Sequence, residues 1–394
     1  MKYAVLIGDG MSDVPLDKLG GKTPLEVANI PHMNLIAKEG LTGWARTIPK
    51  DMPPGSDVAC MSIFGYDPEK YYTGRGPFEA ASRSIDLKNN DVAFRCNLVT
   101  IKDGIMDSFT ADHISSEEAK ILIEFINQKL GGPKIKFYPG VMYRHLCIIE
   151  DGPLSAECVP PHDITDRKIE AYLPKGKGSE LLKRLMEDSI PLLRDHEVNK
   201  KRIAQGKKPA TQIWLWGQGK KPTLPTFRQK YGISGSVITA VDIIKGIGRI
   251  AGLEIIDVPG ATGYYDTNYK GKGEYALSSI KERDFVLVHV ESPDEAGHTG
   301  DIENKIKAIE NFDKFIVGPV LEGLKMMGDF RILSMPDHPT PCTIKTHSSE
   351  PVPFAMMGQG IKKDEIQEYN EKAIAKSKLF IEHGYTLLDR LILW

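Results

Sequence analysis

Three places along the chain end an apolar run on metal-type residues, and a fourth sets a serine where it could be activated. Asp9 follows the apolar run 3–7. Asp294 and His298 stand at i and i+4 after the run 284–290, and Asp337-His338 follows 330–335, with His347 further on. Carboxylate and imidazole donors mixed in this way suit Mn²⁺ or Zn²⁺, whereas all-oxygen shells suit Mg²⁺ or Ca²⁺. With Ser56 these donors are too many for one tetrahedral ion and fit two, the arrangement used for phosphoryl transfer. Ser56 lies in Pro53-Pro54-Gly55-Ser56-Asp57-Val58, a rigid entry into a run with helical spacing (Val58, Met61, Phe64). A serine at a helix N-terminus faces unpaired N–H groups that favour negative charge. Its hydroxyl is a weak nucleophile and needs a base or a metal. The same serine would serve equally as the helix cap. Each Asp or His taken alone reads as a turn or ion-pair residue.

Strands and helices must bring these distant residues together. The runs 3–7, 213–216, 236–241, 253–258, 284–290, 330–335 and 352–357 are short, mostly apolar and bounded by Gly, Pro or Asp. Such runs read as buried strands, and the helical stretches between several of them, notably 302–327, complete a doubly wound, mostly parallel α/β sheet. In such sheets the reactive crevice lies at the carboxyl ends of the strands. A helix is expected from Thr23 or Pro24, broken at Pro31. Between 88 and 210 the texture differs. Asp91 to Ile101 alternates, Ser115 and Glu118 form a capping box before a helix that Gly131-Gly132 stops, and 141–150 and 155–159 read as strands before a helix at 178–193. This order is not βαβ, so an α+β insertion is expected. The division is a core of 1–87 with 211–394, and an inserted substrate or lid domain of 88–210.

Composition narrows the function classes. The 394 residues are 41% apolar and 26% charged with a net charge of −2, ordinary for a globular protein. The one basic run, 199–208, lacks aromatic interleaving and reads as a solvated turn, so no nucleic-acid partner is expected. No apolar run approaches the roughly 20 residues of a membrane span. The N-terminus enters a strand directly rather than a signal peptide, and five scattered cysteines form no C-x-x-C pair; both lead to the expectation of a cytoplasmic protein. A homo-oligomer is compatible with this composition. His289, inside an apolar run, reads as a core histidine.

The segments Ile7-Gly8-Asp9-Gly10-Met11, Pro54-Gly55-Ser56-Asp57-Val58-Ala59, Tyr72-Thr73-Gly74-Arg75-Gly76-Pro77, Asp294-x-x-Gly297-His298, Pro336-Asp337-His338 and His347 together resemble the cofactor-independent phosphoglycerate mutases of archaeal type, in the alkaline phosphatase superfamily. The resemblance runs in order through nearly the whole chain. It implies an alkaline phosphatase-like core and interconversion of 3- and 2-phosphoglycerate through a phosphoserine at Ser56. It implies two divalent ions, Mn²⁺ first, with Zn²⁺, Co²⁺ or Mg²⁺ as substitutes. Asp9, Ser56, Asp337 and His338 would hold one ion; Asp294, His298 and His347 would hold the other. Arg75, Arg95, His113, Arg144 and His145 would face the small phosphorylated substrate, with the inserted domain as a lid that excludes water. The segments Ile213-Trp214-Leu215-Trp216-Gly217 and Pro339-Thr340-Pro341-Cys342 also resemble a subgroup proposed to be homoserine kinases. There the same serine and metals would pass phosphate from ATP, although no P-loop is present. A metal-dependent phosphomonoesterase is a third reading, and a metal-stabilised binding protein a fourth.

Overall fold

Continuous apolar runs bury both faces of a strand, and the larger sheet of this protein is built from them. The computed structural model describes residues 1–393. The chain divides into two compact units, Met1–Tyr72 with Thr223–Trp394, and Thr73–Pro222. In chain order the strands are β1 (Lys2–Gly8), β2 (Leu41–Ala45), β3 (Asp91–Lys102), β4 (Ile105–Ser108), β5 (Ile135–Tyr138), β6 (Arg144–Glu150), β7 (Gln212–Lys220), β8 (Gly235–Ile238), β9 (Glu254–Ile255), β10 (Phe285–Val290), β11 (Phe330–Met335), β12 (Val352–Gly358) and β13 (Phe380–Ile381).

The first unit carries an eight-stranded sheet ordered β13-β2-β12-β11-β1-β10-β8-β9. Only β12 runs against its neighbours; the other adjacent pairs are parallel. The mostly parallel α/β sheet expected from the sequence is therefore present. β1 lies inside it, with Ala4, Val5, Leu6 and Ile7 fully buried. Ile7 is level with His289 on β10 and with Met335 on β11. The chain therefore leaves three adjacent strands at one edge, just before Asp9, Asp294 and Asp337. Pro31 divides the expected helix into Pro24–Val27 and Pro31–Glu39, each with Pro in its first turn. The stretch 302–327 is not one helix, because a π-turn at Asp313–Val317 interrupts it. Buried Asp313 there accepts the Met33 N–H at 2.7 Å and contacts the His32 ring at 2.8 Å, tying the irregular turn to the Pro31–Glu39 helix.

The second unit is an antiparallel sheet ordered β4-β3-β6-β5, with β7 also paired to β3. Its boundaries, at 72/73 and 222/223, fall outside the expected 88 and 210. The reason is pairing: the 213–216 run, read as part of the parallel sheet, lies in β7, antiparallel to β3. β3 is buried from Asp91 to Thr100 on both faces, although its alternation suggested one exposed face. The run 155–159 forms no strand beyond a bridge between Glu157 and Lys175. The basic run is not a simple turn either. It contributes to a helix, Glu197–Ala204, in which Asn199 and Arg202 are buried. Among the described residues no helix is long and apolar enough to cross a membrane, and all five cysteines are free thiols.

Candidate metal centre and phosphoryl acceptor

Each strand end delivers its candidate donor by a short device. After β1, Gly10 takes φ +60, a left-handed conformation, and a Cβ there would collide with Thr340 and Asp294. Its N–H donates to Asp337 Oδ1 at 3.1 Å, binding the turn after β1 to the turn after β11. After β10 the chain enters the Ser292–Thr299 helix, which presents Asp294 and His298 on one face. After β11, Asp337 and His338 are fully buried. His347 returns beside them, its Nε2 2.9 Å from His298 Nε2 and 3.4 Å from Asp294 Oδ1.

Ser56 is the first residue of the Ser56–Ile63 helix, after Gly55 at the cap position, and it makes no capping bond. Its Oγ lies 3.0 Å from His338 Nε2. The tautomer of His338 follows from its other nitrogen. Nδ1 faces the Pro339 carbonyl at 3.4 Å and Thr340 Oγ1 at 3.2 Å. The Thr340 hydroxyl spends its own proton on Asp294 Oδ1, so both neighbours accept from Nδ1–H. The Nε2 lone pair is left for the Ser56 proton or a cation. Burial holds His338 below the usual imidazole range. Nδ1 of His298 likewise faces the Lys345 carbonyl, at 3.1 Å, which turns Nε2 toward Asp294.

The donors form two sets, Asp9–Asp337–His338 and Asp294–His298–His347, each with ligand atoms within 4.8 Å of one another. Asp9 Oδ1 is buried without a hydrogen-bond partner, 3.4 Å from the His338 Nε2 lone pair. An acceptor pair this close must share a cation or a proton. Burial, then the charges of Asp337 and Asp294, pushes the Asp9 carboxyl well up. Asp294 moves the other way: burial opposes ionisation, but hydrogen bonds from His298 and His347 outweigh it. The hydrogen bond to Asp294 raises His298 to about 9. Three carboxylates compensated only by imidazoles fit a pair of divalent ions.

His289 is more than a core histidine. Its Nε2 stands 3.3 Å from Asp9 Oδ2 and its Nδ1 3.3 Å from Glu291 Oε1, and Lys272 Nζ donates to that carboxylate at 2.7 Å. Burial opposes a proton on the ring, but the charge of Asp9 and the hydrogen bonds to Asp337 and Asp9 hold it well above the usual range. It forms a third donor group with Cys60 and Asp337. The i, i+2 spacing of His289 and Glu291 on an apolar strand was the available signal. Thr340 gave none, since only its neighbourhood identifies it.

In the second unit, Arg95 is buried on Glu79 at 3.0 Å and over the Trp216 ring at 4.4 Å. Burial pulls its pKa down, Glu79 opposes this, and the charges of Arg75 and Arg144 lower it further. Arg75 and Arg144 thus lie near enough for their charges to act on Arg95, an excess of positive charge that suits an anion. His162, unassigned from sequence, joins them through edge contacts with Trp216 and Phe109. His113 is exposed at the end of three consecutive left-handed residues, Ala111, Asp112 and His113 (φ 46, 57 and 50). His145 is a correction to the ligand-facing set: it is fully buried, its Nδ1 accepts the Gly140 N–H at 2.9 Å, and burial drives it down to about 3.

Residues 37–199 match the family model described as 2,3-bisphosphoglycerate-independent phosphoglycerate mutase. The chain is 52% identical over 395 aligned residues to the 2,3-bisphosphoglycerate-independent phosphoglycerate mutase of Methanosarcina barkeri, covering 100% of this chain and 99% of that one. Among solved structures it is similar to the PH0037 protein from Pyrococcus horikoshii, at 30% identity and TM-score 0.84, covering 99% of this chain and 96% of that one. It is also similar to the cofactor-independent phosphoglycerate mutase from Thermoplasma acidophilum, at 28% identity and TM-score 0.69, covering 100% and 99%.

Proposed function

The chain belongs to the 2,3-bisphosphoglycerate-independent phosphoglycerate mutase family, and on that footing we propose that it interconverts 3- and 2-phosphoglycerate through a phosphoserine at Ser56. The observation that carries this reading is the Ser56 hydroxyl, uncapped at a helix head and 3.0 Å from a neutral His338 nitrogen, beside three buried carboxylates. Asp9, Asp337, His338 and Ser56 would hold one divalent ion and Asp294, His298 and His347 the other, with Mn²⁺ the ion the mixed donors favour. When bound, the pair supplies the positive charge that acidifies the serine and neutralises the phosphoryl group in flight.

The residues divide the remaining work. Ser56 Oγ gives up its proton and attacks phosphorus, the bond from phosphorus to the 3-oxygen of glycerate breaks, and that oxygen takes up a proton in exchange. The positive end of the Ser56–Ile63 helix dipole favours the phosphoserine. Arg75, Arg95 and Arg144 would keep hold of the glycerate anion while it turns, with His113 as the further expected contact. The 2-hydroxyl then gives up its proton and attacks the phosphoserine, and Ser56 is restored. Water must be kept out meanwhile, which is the lid role assigned to the second unit.

A coupled assay with 3-phosphoglycerate, Mn²⁺ and no nucleotide or bisphosphoglycerate tests the reading. The expected outcome is 2-phosphoglycerate as product, and a loss on the order of 10⁴-fold or more in Ser56→Ala with the fold and the ions retained. The mass of one phosphoryl group should appear on Ser56 in acid-quenched protein. Inorganic phosphate as the sole product would make the enzyme a phosphatase, and ADP formed only with homoserine and ATP would make it a kinase. The mutase name of the relatives supports neither alternative.

A further inference from the structure

A lysine ammonium removed from water needs acceptors for its three N–H groups, and the residues that supply them become mutually fixed. Lys305, on the Ile302–Phe312 helix, is fully buried. Its Nζ donates to the Asp13 carboxylate at 2.8 Å, the Thr340 carbonyl at 2.8 Å and the Ser12 carbonyl at 3.3 Å. Two of these acceptors lie on the loop that follows Asp9 and one on the loop that follows Asp337-His338. The same loops are joined again where Asp13 Oδ2 accepts the Cys342 N–H at 3.1 Å and where Ser12 O accepts the Thr340 N–H at 3.3 Å. Thr340, whose carbonyl Lys305 holds, bonds through its hydroxyl to Asp294 on one side and faces His338 Nδ1 on the other. One ammonium therefore ties the Asp9 loop to the residue that bridges the two donor sets.

From this geometry we infer that Lys305 is a positioning residue that sets the spacing of the two cation sites, although it touches neither set of donors itself. This rests on the two-cation reading above. With the ammonium removed, the loops separate, Thr340 no longer aligns Asp294 with His338, and the second ion loses its place before the first does.

Lys305→Met alone would strand the Asp13 carboxylate, so the test uses Lys305→Met with Asp13→Asn, and separately Lys305→Arg, which keeps the charge but offers a planar fork. Mn²⁺ binding to metal-stripped full-length protein is followed by calorimetry, and the loaded protein by electron paramagnetic resonance. Wild type is expected to bind two ions and give the spectrum of a coupled Mn²⁺ pair. Both variants are expected to keep the first affinity, lose about tenfold or more in the second, and give the resolved signal of isolated Mn²⁺. A coupled pair at wild-type affinity in either variant overturns the inference. So does failure of both to fold, since Lys305 would then serve the fold and not the spacing. A wild type that binds fewer than two ions sinks the two-cation reading instead.

Discussion

At the scale of single residues, the site tolerates little change where backbone and ligands meet. Gly10 holds φ +60 with no room for a Cβ, so Gly10→Ala is expected to cost about 1–2 kcal/mol from the left-handed backbone alone and to weaken ion binding by displacing Thr340 and Asp294. A thermal melt paired with a metal titration checks both, and wild-type affinity in a folded variant would mean the cradle has slack. His145 makes a second prediction. Its folded imidazole refuses a proton until about pH 3, whereas the ordinary value is 6.5. Its contribution is therefore complete above the ordinary value and drains as pH falls through that window, by on the order of 4–5 kcal/mol in all. Stability measured from pH 7 to 3 should fall less steeply in His145→Asn, whose amide oxygen can still accept the Gly140 N–H. That Asp9 and Asp337 would meet at one sheet edge was legible in the sequence, because each follows an apolar run that ends a strand. His289 was not, because an imidazole inside an apolar strand reads the same whether it packs or faces a carboxylate.

At the scale of elements, one turn is held by a single buried side chain. The left-handed run Ala111 to His113 is costly backbone, and Arg202 clamps it by donating to the Ala111 carbonyl and to Glu118, both at 2.7 Å. Arg202→Met is expected to cost about 1.5–3 kcal/mol, the worth of hydrogen bonds to a charged group, and to raise KM for phosphoglycerate more than it lowers kcat, as denaturant melts and steady-state kinetics would report. An unchanged KM would separate that turn from substrate. Arg202 also marks a limit of sequence reading. A run rich in lysine and arginine was read as solvated because charge alone does not say which member turns inward. The capping box of Ser115 and Glu118 was legible and is present, opening the Ser116–Leu130 helix. The 213–216 run was assigned to the wrong sheet, because a short apolar strand does not disclose its partner, and only its register against β3 does.

At the scale of the whole molecule, the gathering of Asp9, Asp294 and Asp337 leaves the metal-free state under self-repulsion. Each divalent ion at about a hundred times its Kd should add about 2.7 kcal/mol, seen as a higher Tm that EDTA reverses. Amide exchange in β1, β10 and β11 should slow with it, and equal melting with and without Mn²⁺ would count against any cation there. The class of the fold was readable from the order of its apolar runs. The limits of the second unit were not, since they depend on which strands pair across long separations.

The position of β1 has a consequence for how the protein is made. It is synthesised long before its sheet neighbours β10 and β11, so both of its edges stay open until those strands have been made. An apolar strand with two unpaired edges invites association with other chains. Since His347 follows even these strands, no shortened translation product ending before it can assemble the full donor set, and premature phosphoryl chemistry is thereby denied to the nascent chain.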